Sequence, residues 1–262
     1  MFHFHYRLAC LAVMFAGLIC AAPAKATIVY VDDDANGLNN GTSWRHAFKC
    51  LQDALASSRS GDEIRVAQGI YRPDQNTVNI RGAVRVQSSG DRTSYFQLTD
   101  GISLKGAYAG FGTEDPNEQN VEVFSSVLSG DLKGNDVNAN DLSELQSHPS
   151  RQDNSHRIIA VQASSHSVSI EGFTITHANA NDPETWLNES LHVGEGASAD
   201  ISDCIITHNS TMGGSGGMRI GRFATTTIEH CRFERNYSDD YGGCVFNEGN
   251  LTANDCIIIG NE

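Results

Sequence analysis

Basic residues are scarce in this chain. Its 262 residues hold 18 Lys and Arg against 32 Asp and Glu, a formal net charge of −14. Nucleic acid demands clustered cations, so this balance argues against it as a partner. Long apolar runs are also missing beyond the N-terminus. Leu8 to Ala22 is shorter than the roughly 20 residues that span a bilayer, and nothing downstream could cross one, so no transmembrane segment is expected in the mature chain. No phosphate loop, nucleophile elbow or metalloprotease helix is present. The regular leucine pattern of leucine-rich repeats is absent, and the repeats are too short for four-stranded blades of about 40 residues.

The early apolar run has a different meaning. Arg7 and several histidines precede it, and Ala24-Lys25-Ala26 places small residues where a signal peptidase reads. Residues 1–26 are therefore expected to be a signal peptide, and the mature chain to be secreted or held at the cell surface or outer membrane. Ile19 stands before Cys20 where a lipoprotein would have a small residue. Loss of Arg7 and Lys25 takes the net charge to −16.

What the chain does have is a repeat. ISDCIITHN, TIEHCRFERN and LTANDCIIIGN align Cys204 with Cys231 and Cys256, and Asn209 with Asn236 and Asn261; a worn copy, SIEGFTITHA, puts Phe173 in the cysteine slot. The spacing of about 25 residues indicates stacked units that cannot bury their apolar faces singly. Three residues before each cysteine stand Ile201, Ile228 and Ala253, with Ile170 in the worn copy; two after it stand Ile206, Phe233 and Ile258, with Ile175. These offsets differ in parity, which one strand of period two cannot accommodate. A bend at Ser202-Asp203, Glu229-His230, Asn254-Asp255 and Glu171-Gly172 resolves the conflict. GGMRI (216–220) and GGCVF (242–246) supply a third strand per repeat, their glycines expected to serve a tight turn.

Three short strands per turn describe an all-β, parallel β-helix of roughly six coils. The aligned asparagines then fall at a turn, where stacked amides bond to one another and to the backbone. The cysteines form an inward column that suits small apolar thiols, so a reduced ladder is expected despite the exported setting that ordinarily favours disulfides. Upstream, Asp62 to Tyr71, Gly101 to Phe111 and His156 to Ile175 read as strands, while 73–94, 112–122, 133–155 and 178–189 read as loops leaving the coils. One amphipathic helix, from Ser43 or Trp44 to Ser57 with Trp44, Phe48 and Leu51 on its apolar face, is placed to cap the open N-terminal end. The organisation is thus 1–26 signal, 27–61 first strand and cap, and 62–262 coils that stop without a second cap, as in a fragment of a longer protein.

These repeats resemble those of polymorphic outer membrane proteins, in GG-x-x-apolar (Gly216-Gly217-Met218-Arg219-Ile220) and aromatic-or-Ile-x-x-Asn (Phe233-Glu234-Arg235-Asn236). The front end, VYVDDDANGLNNGTSW with AFKCLQDAL and GDEIRVAQGIY, is similar to the cap of secreted bacterial right-handed parallel β-helix proteins of the pectin-lyase-like superfamily. The resemblance implies that fold. It leaves function open, because lyases, hydrolases and adhesins share it.

Little chemistry accompanies the fold. Asp239-Asp240 lacks the companions of a polygalacturonan hydrolase, and adjacent carboxylates on a strand point to opposite faces. Arg219 and Arg232 are central in repeat strands but have no clustered acids in their own phrases. His177 and His208 share a repeat position and read as solvent-facing ladder-edge residues. Asp32, Asp34 and Asn36 match the first half of a calcium loop, with Ser43 where the bidentate Glu belongs. The alternative is an Asx-rich turn. Gly130 to Asp136 is a second, weaker acidic loop. The expectation is therefore a non-catalytic exported interaction module, adhesin-like or glycan-binding, with a glycan or a surface protein as partner, no catalytic residue assigned, and calcium as the one candidate ion. The alternative is a lyase or hydrolase of acidic polysaccharide.

Overall fold

The computed structural model describes residues 26–99, 101–137, 139, 141–182 and 189–262. The expected signal peptide lies almost wholly outside the described residues. Among them, no helix is long and apolar enough to cross a membrane.

Among the described residues four parallel sheets follow the coils; the smallest joins Asn179–Ala180, Ser210–Thr211 and Tyr237–Ser238, and the other three wind about one core. The first has seven strands, in spatial order Ile28–Val31, Glu63–Ala67, Ser103–Tyr108, Val168–Glu171, Ser198–Ser202, Thr225–Glu229 and Asn250–Asn254. The second has six, running from Gly69–Tyr71 through Ser126–Ser129, Phe173–Thr176, Ile205–Thr207 and Arg232–Glu234 to Ile257–Ile259. The third has five: Phe96–Leu98, Ile159–Val161, Leu191–Val193, Met218–Ile220 and Val245–Asn247. Each strand pairs with its equivalent one coil away, the arrangement of a parallel β-helix.

Register explains the sequence offsets. Leu104, Ile170, Ile201 and Ile228 stack as one inward column of the first sheet, and Leu128, Ile175, Ile206 and Phe233 as one of the second. All are buried. Each such side chain contributes about 1.5–3 kcal/mol relative to exposure. Phe173, Cys204, Cys231 and Cys256 occupy one slot on successive rungs, because Thr174 pairs with Ile205, Ile205 with Arg232 and Arg232 with Ile257. All five described cysteines are free thiols. The Cys204 thiol, hydrogen-bonded with Cys231 and buried, is held well above its ordinary pKa.

The bends fall where the parity break required them. Asp203, His230 and Asp255 take φ of 51°, 52° and 49°, and Gly172 takes 76°. A second left-handed position precedes each asparagine turn, at His177, His208, Arg235 and Gly260. Of the glycine pairs, Gly242 takes φ of 90°, as the expected turn requires, but the other three serve a different purpose. Gly216, Gly217 and Gly243 lack positive φ; a Cβ there would collide with the carbonyl oxygens of Tyr237, Cys244 and Asn236, respectively. They are glycine because neighbouring backbones pass too close for a side chain.

Several expected elements differ: the loops expected at 133–155 and 178–189 hold a short α-helix at Glu144–Ser147 and a paired strand at Asn179–Ala180, and two further differences concern the cap and the first long loop. The single cap helix is divided: a 3-10 turn at Trp44–His46, with Ser43 as N-cap, and an α-helix at Leu51–Ser57. Between them the chain is held extended, Phe48 N–H donating to Tyr30 O and Asp32 N–H to Phe48 O. Strand pairing to Ile28–Val31 thus overrides the helical periodicity. Leu51 and Ala54 still close the core end. The polar stretch 73–94 is also more than a loop, since Gln75–Ile80 and Ala83–Ser88 form an antiparallel hairpin. Its turn uses Arg81 and Gly82, both at positive φ, as a two-residue hairpin connection requires.

Candidate functional site

Alternation in the third sheet points its middle residues outward, one per coil. Gln97, Ala160, His192, Arg219 and Phe246 lie in register along that face, while Phe96, Leu98, Ile159, Val161, Leu191, Val193, Met218 and Ile220 point into the core. The inward set fixes the outward set, because a one-residue slip would turn every side chain over.

At the middle of this column sits Glu189, fully buried. Its Oε2 lies 3.2 Å from His192 Nδ1 and 3.9 Å from an Arg157 nitrogen, and its Oε1 lies 3.9 Å from Arg219. Among the described residues, Oε1 has no hydrogen-bond donor. Gly214, at φ +91°, leaves room for it: a Cβ there would stand 2.5 Å from Oε1. Arg219 also bonds Glu248 at 2.7 Å, and Arg222 approaches the same carboxylate at 3.3 Å. Burying a carboxylate this deeply is tolerated only with cations at hand, and three coils contribute them.

Two cavities flank His192. One of 360 Å³ is lined by His192, Glu195, Arg219, Arg222 and Glu248. The other, of 450 Å³, is lined by Tyr95, Arg157, Ala160, His192 and Glu195. Aromatic rings stand at both ends: Arg157 lies 5.7 Å from the Tyr95 ring, and Arg219 5.7 Å from Phe246, which stacks on Tyr241 at 4.7 Å. The result is a groove of paired arginines and glutamates between aromatic platforms. Such a surface offers directional hydrogen bonds to hydroxyls and carboxylates and flat apolar area to ring faces.

Sequence reasoning missed most of this. Arg219 does have clustered carboxylates, but Glu189 and Glu248 come from the neighbouring coils and not from its own phrase. Aligning the glycine pairs would set Arg219 opposite Val245, whereas the strands pair it with Phe246, one residue further on, so the pairs concealed the outward column.

The calcium half-motif is divided by burial. Asp32 is buried, whereas Asp34 and Asn36 are exposed. Asp32 Oδ1 accepts from Asp34 N–H at 2.9 Å and Oδ2 from Phe111 N–H at 2.6 Å, so both oxygens serve main-chain amides. Burial pushes its carboxyl up to about 6. Asp32, Asp33 and Asp34 bring one carboxylate oxygen each within 4.8 Å of one another. In the second acidic loop, Asp131 likewise accepts from Gly134, Asn135 and Asp136 amides.

Other sequence candidates resolve as structure. Asp239 and Asp240 are exposed in a turn, Asp239 accepting from Tyr237 O–H at 2.6 Å. His177 and His208 do not face solvent as expected. Their rings lie 6.3 Å apart, and burial lowers His177 to about 4. Arg151 and Asn154 cover this region: the buried Arg151 guanidinium donates to Ala178 O, His208 O and Asp136 Oδ2, Asn154 Nδ2 donates to His177 O, and Arg235 donates to His208 Nε2.

Residues 157–262 match a family model described as a right-handed β-helix region, and the fold is a right-handed parallel β-helix. No curated protein matches the chain in sequence. Similar solved structures include pectin methylesterase PemA from Erwinia chrysanthemi, at 14% identity over 83% of this chain with a TM-score of 0.36. A pectin methylesterase variant in complex with a hexasaccharide aligns at 16% identity over 91% of this chain, with a TM-score of 0.39. The chain spans 56% of the length of the first and 67% of the second.

Proposed function

We propose that this protein is an exported, surface-located β-helix whose third sheet binds a glycan. The observation that carries the reading is the outward column His192, Arg219 and Phe246, set between two cavities and organised by the buried Glu189. The arginines and glutamates nearly balance in charge, which suits a hydroxyl-rich ligand carrying few charges better than a polyanion, given the acidity of the whole chain. The repeat signals shared with polymorphic outer membrane proteins, and the export signal read at residues 1–26, support the location. Fractionation of the producing cells tests it; retention in the cytoplasm would end that part of the proposal.

Binding is tested by titrating the mature chain with a panel of soluble polysaccharides. Arg219→Ala should weaken binding by about 10-fold or more, since a hydrogen bond to a charged group contributes about 1.5–3 kcal/mol, and Phe246→Ala should weaken it by about 3- to 10-fold through loss of the ring face. Equal binding by both variants would overturn the assignment of this face.

One observation favours a second reading, a lyase or hydrolase of acidic polysaccharide. The Glu189–His192 contact at 3.2 Å could orient an imidazole toward the cavities as a general base. New reducing ends or unsaturated products, lost in His192→Ala with binding retained, would favour the enzyme.

A further inference from the structure

The hairpin of Gln75–Ile80 and Ala83–Ser88 leaves one of its two edges bare. Ser89 N–H donates to Asp74 O at 3.1 Å, which fixes the parity of the ladder. Asn76 with Gln87, Val78 with Arg85 and Ile80 with Ala83 exchange the inner hydrogen bonds, and the residues between them turn their main-chain groups outward. On the first strand the Thr77 amide accordingly leaves the ladder and donates to Asp53 Oδ2 of the cap helix at 3.0 Å. On the second strand the amides and carbonyls of Val84, Val86 and Ser88 point the opposite way. Among the described residues, none of them has a hydrogen-bond partner.

Nothing blunts this edge. Residues 83–88 hold no proline, lysine or bulge, the usual devices against edge pairing. Residues 85–91 are exposed, Val86 by 45%. The edge is also the place where two such acidic chains can approach. Each copy carries a net −14, whereas residues 75–90 hold Arg81 and Arg85 and no acid.

The strand that fits is the same strand. Antiparallel pairing of 83–88 with a second copy, about a twofold at Val86, is the register that uses all three outward residues. Val84 then faces Ser88 of the other copy and Val86 faces Val86, each pair exchanging two main-chain hydrogen bonds. Arg85 meets Gln87 and not its own counterpart. Followed past the strand ends, this register sets Arg81 of each copy beside Asp91 of the other, exposed cation against exposed carboxylate. Hydrogen bonds from the Thr93 hydroxyl and amide hold the Asp91 carboxyl below its usual range, ready for a cation.

We infer that the hairpin is a self-association element, through which two copies join edge to edge in a twofold dimer with a shared four-stranded antiparallel sheet. Such a sheet passes the three strands that independent stability needs, which a lone hairpin does not. The contact is small, below the roughly 1,000 Å² of a stable interface. The dimer is therefore weak, with a dissociation constant of order 0.1 mM. No residue of the arginine groove takes part, so the inference is independent of the glycan reading.

Sedimentation velocity on the mature chain, its thiols kept reduced, tests it between about 10 µM and about 1 mM. A monomer–dimer equilibrium should be seen, with hydrogen exchange at Val84, Val86 and Ser88 slowing as the dimer forms. Val86→Pro removes the outward N–H at the twofold but no bond of the hairpin itself. It should weaken dimerisation at least about 10-fold, with the Val78 amide resonance unmoved as the check on folding. Arg81→Asp, which sets a carboxylate against Asp91, should weaken it about 3-fold or more, and adding Asp91→Lys should restore it. A chain that stays monomeric throughout, or a dimer indifferent to both Val86→Pro and Arg81→Asp, overturns the inference. So does protection of the three amides by poly-L-glutamate in a chain that remains monomeric, which would give the edge to a different strand.

Discussion

Asn236 shows what a single residue carries in this fold. Its Oδ1 accepts from both the main-chain N–H and the Nδ2 of Asn209, and its Nδ2 donates to Ile206 O and Asn261 Oδ1. The side chain is fully buried. Asn236→Ala leaves buried donors and acceptors on two adjacent rungs unpaired, and each such group costs about 1–3 kcal/mol. A loss of about 3 kcal/mol or more is expected in urea unfolding, against less than 1 kcal/mol for an exposed control such as Asn76→Ala. Asp32 makes a separate prediction through pH. Its folded pKa of about 6 exceeds the roughly 3.9 of an unfolded Asp, so the folded chain holds the proton more tightly between those values. The contribution of this group is therefore largest below about pH 4 and is lost as pH rises through 6. Relative to Asp32→Asn, which cannot titrate, the wild type should lose stability between pH 4 and pH 7; a flat difference in urea midpoints would contradict it.

Elements differ in how far they depend on the stack. The hairpin at 75–88 pairs only with itself and is exposed along most of its length, and an isolated pair of strands is marginal in water. It is tied to the body at Thr77, whose amide and hydroxyl donate to Asp53 Oδ2 and whose hydroxyl oxygen accepts from Asn39 Nδ2. Hydrogen exchange should run at least about 100-fold faster in 75–88 than in the strands at 168–176 and 198–207, which are covered on both edges. Asp53→Ala should widen that gap without altering the central coils. The cap teaches the complementary lesson. Its sequence favours a continuous helix, and the structure breaks it at Ala47–Cys50 because the edge of Ile28–Val31 would otherwise present unpaired amides and carbonyls.

At the scale of the molecule, the coils were legible because they repeat. The parity conflict around Cys204, Cys231 and Cys256 placed the bends, and the Asn209, Asn236 and Asn261 column placed the turn. The hairpin was less legible, since NTVNI and AVRVQ alternate only weakly and a polar composition masked them. The groove was least legible of all. Glu189, His192, Arg219 and Glu248 are separated by up to 59 positions in the chain, and only the third sheet's register brings them together. His177 and His208 were misread for the same reason, because their cover comes from Arg151 and Asn154, which stand outside the repeat.

That register has a consequence for reach. Rungs of a parallel sheet are about 4.8 Å apart, and each coil sets one outward side chain on the third sheet, so the face is graduated like a ruler. Adding or removing one whole winding would move the two aromatic ends apart or together by one graduation while leaving every hydrogen bond within the remaining windings intact. On the proposed glycan reading, the length of ligand spanned is therefore tuned by copying windings, independently of the chemistry written on each.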